Sequence, residues 1–94
     1  MDEVISDKCV LVASFDKKAN RFGDIAQFDN TAVAIRSFGD VVSDDRTPLG
    51  KHPEDYDLVL FGYYDRYNGK VEGLESVVVL CNGFDFVRNM EEKK

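Results

Sequence analysis

Residues Phe28 to Gly69 read FDNTAVAIRSFGDVVSDDRTPLGKHPEDYDLVLFGYYDRYNG, and this run decides the fold class. It passes from a helix through a proline-punctuated loop into a strand and a turn. The helix is predicted over 31–43. Asp29 or Asn30 can accept a hydrogen bond from a free first-turn amide, and Asp29 also complements the helix dipole. Ala34, Ile35, Phe38, Val41 and Val42 fall on one stripe, with Arg36, Ser37, Asp40 and Ser43 away from it. Gly39 costs about 1 kcal/mol relative to Ala inside a helix, so a close contact with the sheet or an early helix end has to account for it. Residues 44–55 read as a loop because Pro48, Gly50 and Pro53 resist regular structure. Asp57 to Arg66 is the strongest strand signal. Strict alternation sends Leu58, Leu60 and Tyr64 to one face and Val59, Phe61 and Tyr63 to the other. Gly62 in its middle marks a bulge or a close backbone approach. A two-residue turn at Asn68-Gly69 would oppose Asp65 and Glu72, a like-charge pair. A longer loop from Asp65 to Lys70 pairs opposite charges and uses Asp65 as turn initiator, so it is the preferred reading.

Upstream of this run, Lys8 to Phe15 is a strand built on Cys9, Val10, Leu11 and Val12, followed by a polar loop from Asp16 to Gly23. Ile25 to Phe28 is a short second strand or an extended approach to the helix. Downstream, Leu74 to Cys81 is the returning strand. Asn82-Gly83 ends it, and Phe84 to Val87 forms a short further element that packs two phenylalanines on the core. The order strand, helix, strand, strand gives an α+β fold, one helix packed on a mainly antiparallel sheet of three or four strands. No second helix is in hand for the other sheet face. That face carries Val59, Phe61, Tyr63 and part of the Val77–Leu80 run. Val59, Phe61 and Tyr63 are therefore expected to form an interface or a stacking surface, with a homodimer through the sheet face as the commonest solution.

The chain has 94 residues and reads as a single domain, 1–94, with short polar tails at about 1–6 and 89–94. A chain this short buries roughly 60–65% of its unfolded surface, so the core is thin. Its net charge is −6, which argues against a general nucleic-acid coat because phosphates are bound mainly by Lys and Arg. Single-stranded DNA stays open as a ligand, disfavoured by that charge. The basic residues that could meet it are Lys17, Lys18, Arg21, Arg36, Arg66 and Lys70. No apolar run approaches the roughly 18 residues of a membrane span. The acidic start MDEVIS lacks the basic flank of a secretory signal, so a cytoplasmic location is expected. Cys9 and Cys81 are too few for a zinc site, which takes about four ligands. Both sit among apolar residues as buried thiols, with a disulfide between neighbouring strands as the alternative.

His52-Pro53-Glu54-Asp55-Tyr56 contains the lone histidine. His52, Glu54 and Asp55 could bind a metal or move a proton, but without a second strong ligand or a nucleophile the run reads as a capped turn. Arg36 could meet a phosphate or a partner carboxylate, or pair with Asp40 or Asp55. Phe61, Tyr63, Tyr64 and Tyr67 could stack bases, yet only Arg66 and Lys70 stand beside them against Asp57, Asp65, Glu72 and Glu75. No P-loop, Rossmann glycine pattern, nucleophile elbow or zinc spacing occurs. An enzyme, a cofactor and a structural metal are therefore not expected.

The run Ala34-Ile35-Arg36-Ser37-Phe38, the His52-Pro53-Glu54-Asp55-Tyr56 loop, the Leu-rich strand with Gly62 and the Tyr64-Asp65…Asn68-Gly69 turn together resemble the small non-structural protein of gokushovirus-type microviruses, phages with circular single-stranded DNA. The matching positions are Ala34, Arg36, Phe38, Pro48, His52, Pro53, Asp55, Tyr56, Leu58, Gly62, Asp65 and Gly69. The resemblance implies a replication-accessory or DNA-binding protein made in the infected bacterium, acting in single-stranded DNA replication or its switch to packaging. It implies viral or host replication proteins as partners and carries over no catalytic residue. The alternative from the residues alone is a dimeric interaction module that modulates a host or viral protein without touching DNA.

Overall fold

Apolar β-formers organise the sheet. In the computed structural model, which describes residues 7–92 and the side chains of 7–87, β1 (Lys8–Asp16) runs antiparallel to β4 (Tyr56–Asp65), and β4 to β5 (Val71–Asn82). Two short strands, β2 (Arg21–Phe22) and β3 (Ala26–Phe28), both pair with the outer edge of β1, so the path across the sheet is β2-β1-β4-β5 with β3 beside β1. The sheet has five strands where three or four were expected. The added strand, β2, arises because the polar loop after β1 folds back as a hairpin. Asn20 supplies its left-handed residue (φ 56°), a conformation asparagine tolerates better than most residues.

The first helix, α1 (Thr31–Val42), follows the predicted bounds closely. Asn30 is its cap: its Oδ1 accepts the Val33 amide at 2.9 Å. Ala34, Phe38 and Val42 are buried and pack with Val10, Val12, Leu58 and Leu60 into the core. Two further helices correct the expectation of a single one. In α2 (Pro48–Lys51) Pro48 takes the first position, and Thr47 Oγ1 accepts the Gly50 amide at 2.9 Å, so the proline that argued for a loop starts a helix instead. A 3₁₀ turn, Pro53–Asp55, follows. The third helix, α3 (Gly83–Glu92), occupies the place of the short element expected at Phe84 to Val87 and continues into the expected polar tail from 89. Residues 1–6 and 93–94, the rest of those tails, lie outside the described residues. A reciprocal cap starts α3: Asn82 Oδ1 accepts the Phe84 amide at 2.8 Å, and Asp85 Oδ2 accepts the Asn82 amide at 3.0 Å. This is the capping-box logic with Asn and Asp.

The three α-helices contribute Ala34, Phe38, Leu49, Phe86 and Val87 to the cluster on the Val10/Leu60 side, so the described helices cover one sheet face. The face assignment of β4 needs correction at its second half. Val12 pairs with Leu60 but Leu11 pairs with Gly62, which leaves Phe61 as an extra residue in β4. A bulge of one residue inverts the alternation beyond it. Tyr63 therefore opposes Val10 and packs on the helix side, while Tyr64 opposes Cys9 on the other side. Gly62 serves this bulge: a Cβ there would stand 2.6 Å from the Glu72 carbonyl oxygen. The β4–β5 connection is the longer loop. Asp65 N–H donates to the Lys70 carbonyl at 2.8 Å, Gly69 takes φ 79°, and Asp65 Oδ1 accepts the Tyr67 amide at 2.9 Å.

Candidate functional site

The helix-free face of the sheet is a trough rather than a flat surface. Its floor holds Ala13 of β1 and Phe61 of β4. One wall is the β2–β3 connection, with Phe22, Gly23 and Ile25, and the other is Val77 of β5. Together they enclose a cavity of about 400 Å³ with no charged side chain in its lining. Local structure explains each wall. Phe15 and Phe22 face each other across the β1–β2 hairpin, and their rings meet at 4.7 Å with a 50° tilt. The Gly23 amide donates to the Ser14 carbonyl at 2.8 Å, which holds the connection against β1. On the far side, Leu60 pairs with Val78 but Gly62 pairs with Gly73, so residues 74–77 form a wide bulge in β5. That bulge sends Leu74 to the helix-side core and Val77 to the trough.

Of the interface residues expected from alternation, Phe61 lines the trough and Val59 lies almost wholly buried (2% exposed) on the same side, opposite Ala13 and Val79. Tyr63 does not join them. Ala13, Phe22 and Ile25 were not expected from sequence, whereas Val77 belongs to the Val77–Leu80 run, part of which was expected on this face. The available signal was the pair of apolar residues, Phe22 and Ile25, on either side of Gly23 in an otherwise polar stretch, and both are exposed.

The expected basic residues are not gathered into one surface. Lys17, Lys18 and Arg21 are exposed at the β1–β2 turn, beside the start of β4, whereas Arg66 and Lys70 follow its end. A ten-residue strand separates these groups by about 30 Å. Arg36 is exposed on α1, in the layer opposite the trough, and makes no ion pair among the described residues, neither with Asp40 nor with Asp55. Arg66 is engaged internally: its Nη2 meets Asp7 at 2.8 Å and its Nη1 meets Asp29 at 3.2 Å, and these contacts, Asp7 first, raise its pKa. Lys17 stands 3.9 Å from Asp57. Exposed pairs of this kind add little stability because water screens them, but they reduce the charge a phosphate would meet.

His52, Glu54 and Asp55 do come together: their ligand atoms lie within 4.8 Å of one another on the 3₁₀ turn. The turn is firmly anchored. Asn82 Nδ2 donates to the Glu54 and Tyr56 carbonyls, both at 3.2 Å, and the Lys17 amide donates to the Asp55 carbonyl at 2.8 Å. These three side chains could hold a cation only weakly, because His52 and Glu54 are exposed and water competes for every position. Cys9 and Cys81 are free thiols on strands that β4 separates, which removes the neighbouring-strand disulfide. Burial, followed by the Asp85 and Asp57 carboxylates, pushes the Cys81 thiol up to about 11.

With this geometry in place, comparison with known proteins is informative. The family described as Phage ORF5 protein matches residues 9–86, from the second residue of β1 into α3. The chain belongs to that family. It is also similar to Protein ORF5 of Chlamydia phage 1, at 33% identity over 85 residues that cover 85% of this chain and 88% of the relative. No solved structure matches it. The family supports the phage setting that the Phe28–Gly69 resemblance implied, and its matched span takes in every residue lining the trough. None of the described helices is long and apolar enough to cross a membrane.

Proposed function

We propose that this phage protein is a non-enzymatic, non-structural accessory of genome replication, or of its switch to packaging, in the infected host's cytoplasm. It works by holding a protein partner on the helix-free sheet face rather than by coating DNA. The observation that carries this reading is the trough: a cavity of about 400 Å³ lined almost entirely by apolar groups. Small-molecule sites place a few polar groups to orient their ligand, and a single-strand site lines its rings with cations. Neither feature occurs in this lining, whereas the apolar side chains of a protein segment match it. The test uses a phage lacking this gene, complemented from a plasmid. Ile25→Asp and Val77→Asp change exposed wall residues and should lower the yield of single-stranded genome while the purified variants stay folded. The purified wild type should not bind labelled single-stranded DNA at low salt. Unchanged genome yield, or tight DNA binding abolished by neutralising Lys17, Lys18 and Arg21, would refute the reading.

Self-association is a second reading, favoured by a different feature. β5 is an edge strand whose Val77, Val78 and Val79 are 49%, 47% and 57% exposed, and an unpaired apolar edge is a template for another strand. Sedimentation of Val78→Lys tests it: the wild type should be a dimer and the variant a monomer, and equal masses would exclude pairing through this edge.

A further inference from the structure

We propose that the segment seated in the trough is a cationic amphipathic helix of the partner, an inference that rests on reading the trough as a docking face. Width is the first argument. The trough is bounded by the β2–β3 edge on one side and β5 on the other, three strand spacings or about 14 Å. A helix with its side chains measures about 10–12 Å across. At the floor, Ala13 is small and almost wholly buried (4% exposed), so a partner meets mainly Phe61 and the exposed walls Phe22, Ile25 and Val77, and that apolar lining suits side chains at i, i+3, i+4 and i+7.

The sign of the partner's charge follows from the two long rims. Asp24 stands between the lining residues Gly23 and Ile25, and Glu75 belongs to the same β5 bulge as Val77. Both carboxylates are exposed, and neither makes an ion pair among the described residues. Lys18 and Arg21 stand at one end, in the β1–β2 hairpin, and Arg21 opposes Asp16 rather than a trough residue. The long sides are therefore acidic on a chain of net charge −6. A second copy docked here would set Asp24 and Glu75 against their own like, and DNA would set phosphates against them. A helix with lysines or arginines flanking its apolar stripe meets both rims with opposite charge.

The test is fluorescence anisotropy with three labelled synthetic peptides of about 18 residues, long enough to form helix on docking. The first is a Leu/Lys amphipathic helix, the second its Leu/Glu counterpart, and the third a scrambled Leu/Lys peptide with no apolar face. Wild type should bind the first at least about tenfold more tightly than either other peptide, a difference of about 1.4 kcal/mol. Ile25→Asp and Val77→Asp should each weaken that binding about tenfold although they add negative charge. The double variant Asp24→Asn/Glu75→Gln should weaken it several-fold and flatten its salt dependence. Undiminished binding by Ile25→Asp or Val77→Asp, or equal binding of the scrambled peptide, would mean adhesion to the acidic surface and overturn the proposal. Preference for the Leu/Glu helix, or a wild-type dimer that Ile25→Asp and Val77→Asp both split and Val78→Lys does not, would overturn the cationic helix yet leave the docking face standing. If no peptide binds and the same variants leave genome yield unchanged in the complemented phage, both readings fall together.

Discussion

Gly39 offers a sharp test of how the helical layer is built. It is buried in α1, and a Cβ there would stand 2.6 Å from Phe86 Cε1 and 2.7 Å from Cδ1. The close contact that excuses this glycine is thus with α3, not with the sheet as the sequence suggested. Two effects oppose each other in Gly39→Ala. Helix propensity favours alanine by about 1 kcal/mol. Overpacking a filled contact costs typically 1–3 kcal/mol. The Phe86 ring cannot simply swing aside, because it also stands edge-on to Phe38 with centroids 6.0 Å apart. Gly39→Ala should therefore destabilise by about 0–2 kcal/mol net, and up to roughly 8 °C in melting temperature per kcal/mol for a domain this size.

The decisive measurement is the double-mutant cycle with Phe86→Ala. With the ring gone, the methyl group meets open space and only the propensity gain is left. Gly39→Ala should then stabilise the Phe86→Ala protein by about 1 kcal/mol, so the substitution changes sign between backgrounds. Urea denaturation followed by circular dichroism on the four proteins gives the coupling, provided the slope with denaturant stays constant. A coupling of about 1–3 kcal/mol is expected. The reasoning is refuted if Gly39→Ala stabilises both backgrounds equally, with coupling under about 0.5 kcal/mol.

Other outcomes follow from the same contacts. Asn82→Ala removes donors to the Glu54 and Tyr56 carbonyls and to Asp57 Oδ1 (2.8 Å), and the acceptor for the Phe84 amide. It should cost about 1–3 kcal/mol by urea denaturation, and Asn82→Asp, which sets a second carboxylate beside Asp57, should be no better. Burial raises the Asp65 carboxyl, but the amides of Tyr67, Asp7 and Asn68 and the charge of Lys8 outweigh it and hold the group below the usual carboxylate range. A depressed native pKa gives stability that is present above the unfolded value and lost as pH falls through the native one. The melting-temperature gap between wild type and Asp65→Ala should accordingly be full at neutral pH and shrink below about pH 4. For Cys81 the sign reverses. Its thiol is raised to about 11, so its contribution is intact below the unfolded value and fades as pH rises from about 9 toward 11. A Cys81→Ala variant should lose less stability than wild type over that alkaline window, and native Cys81 should react slowly with thiol reagents at neutral pH.

Much of the architecture was legible where a period and a cap coincide. The α1 stripe, the Asn30 cap and the Leu58–Leu60 core positions all follow from spacing, and like-charge avoidance at Asp65 and Glu72 chose the correct loop. What failed did so for local reasons. Asn82-Gly83 has the look of a strand stop, although Asn82 with Asp85 three residues on is also a helix start, and Phe86 and Val87 then follow on a helical face. Pro48 resembles a breaker in sequence, although proline is favoured in a first helical turn. The trough was only half legible because it is assembled by register. Gly62 announced a bulge, but whether Phe61 or Gly62 was the extra residue depended on pairing with Leu11 and Val12. That choice decides where Phe61 and Gly62 sit, while the one-residue bulge itself moves Tyr63 to the helix side.

Acidity and the open apolar face also bear on each other. An exposed apolar face invites indiscriminate association, and surface charges of one sign oppose contact between copies. Asp24 and Glu75 on the rims supply that opposition at the very site where association would begin. The same carboxylates repel phosphate, so this member of a phage family is least suited to DNA at its most apolar surface. The cations that could meet DNA, Lys17, Lys18, Arg21, Arg36, Arg66 and Lys70, lie at the two ends of β4 and on α1, partly engaged by Asp7, Asp29 and Asp57. The proposed role, exercised through a cationic protein helix, would reconcile these facts: charge would select the partner and the trough would retain it.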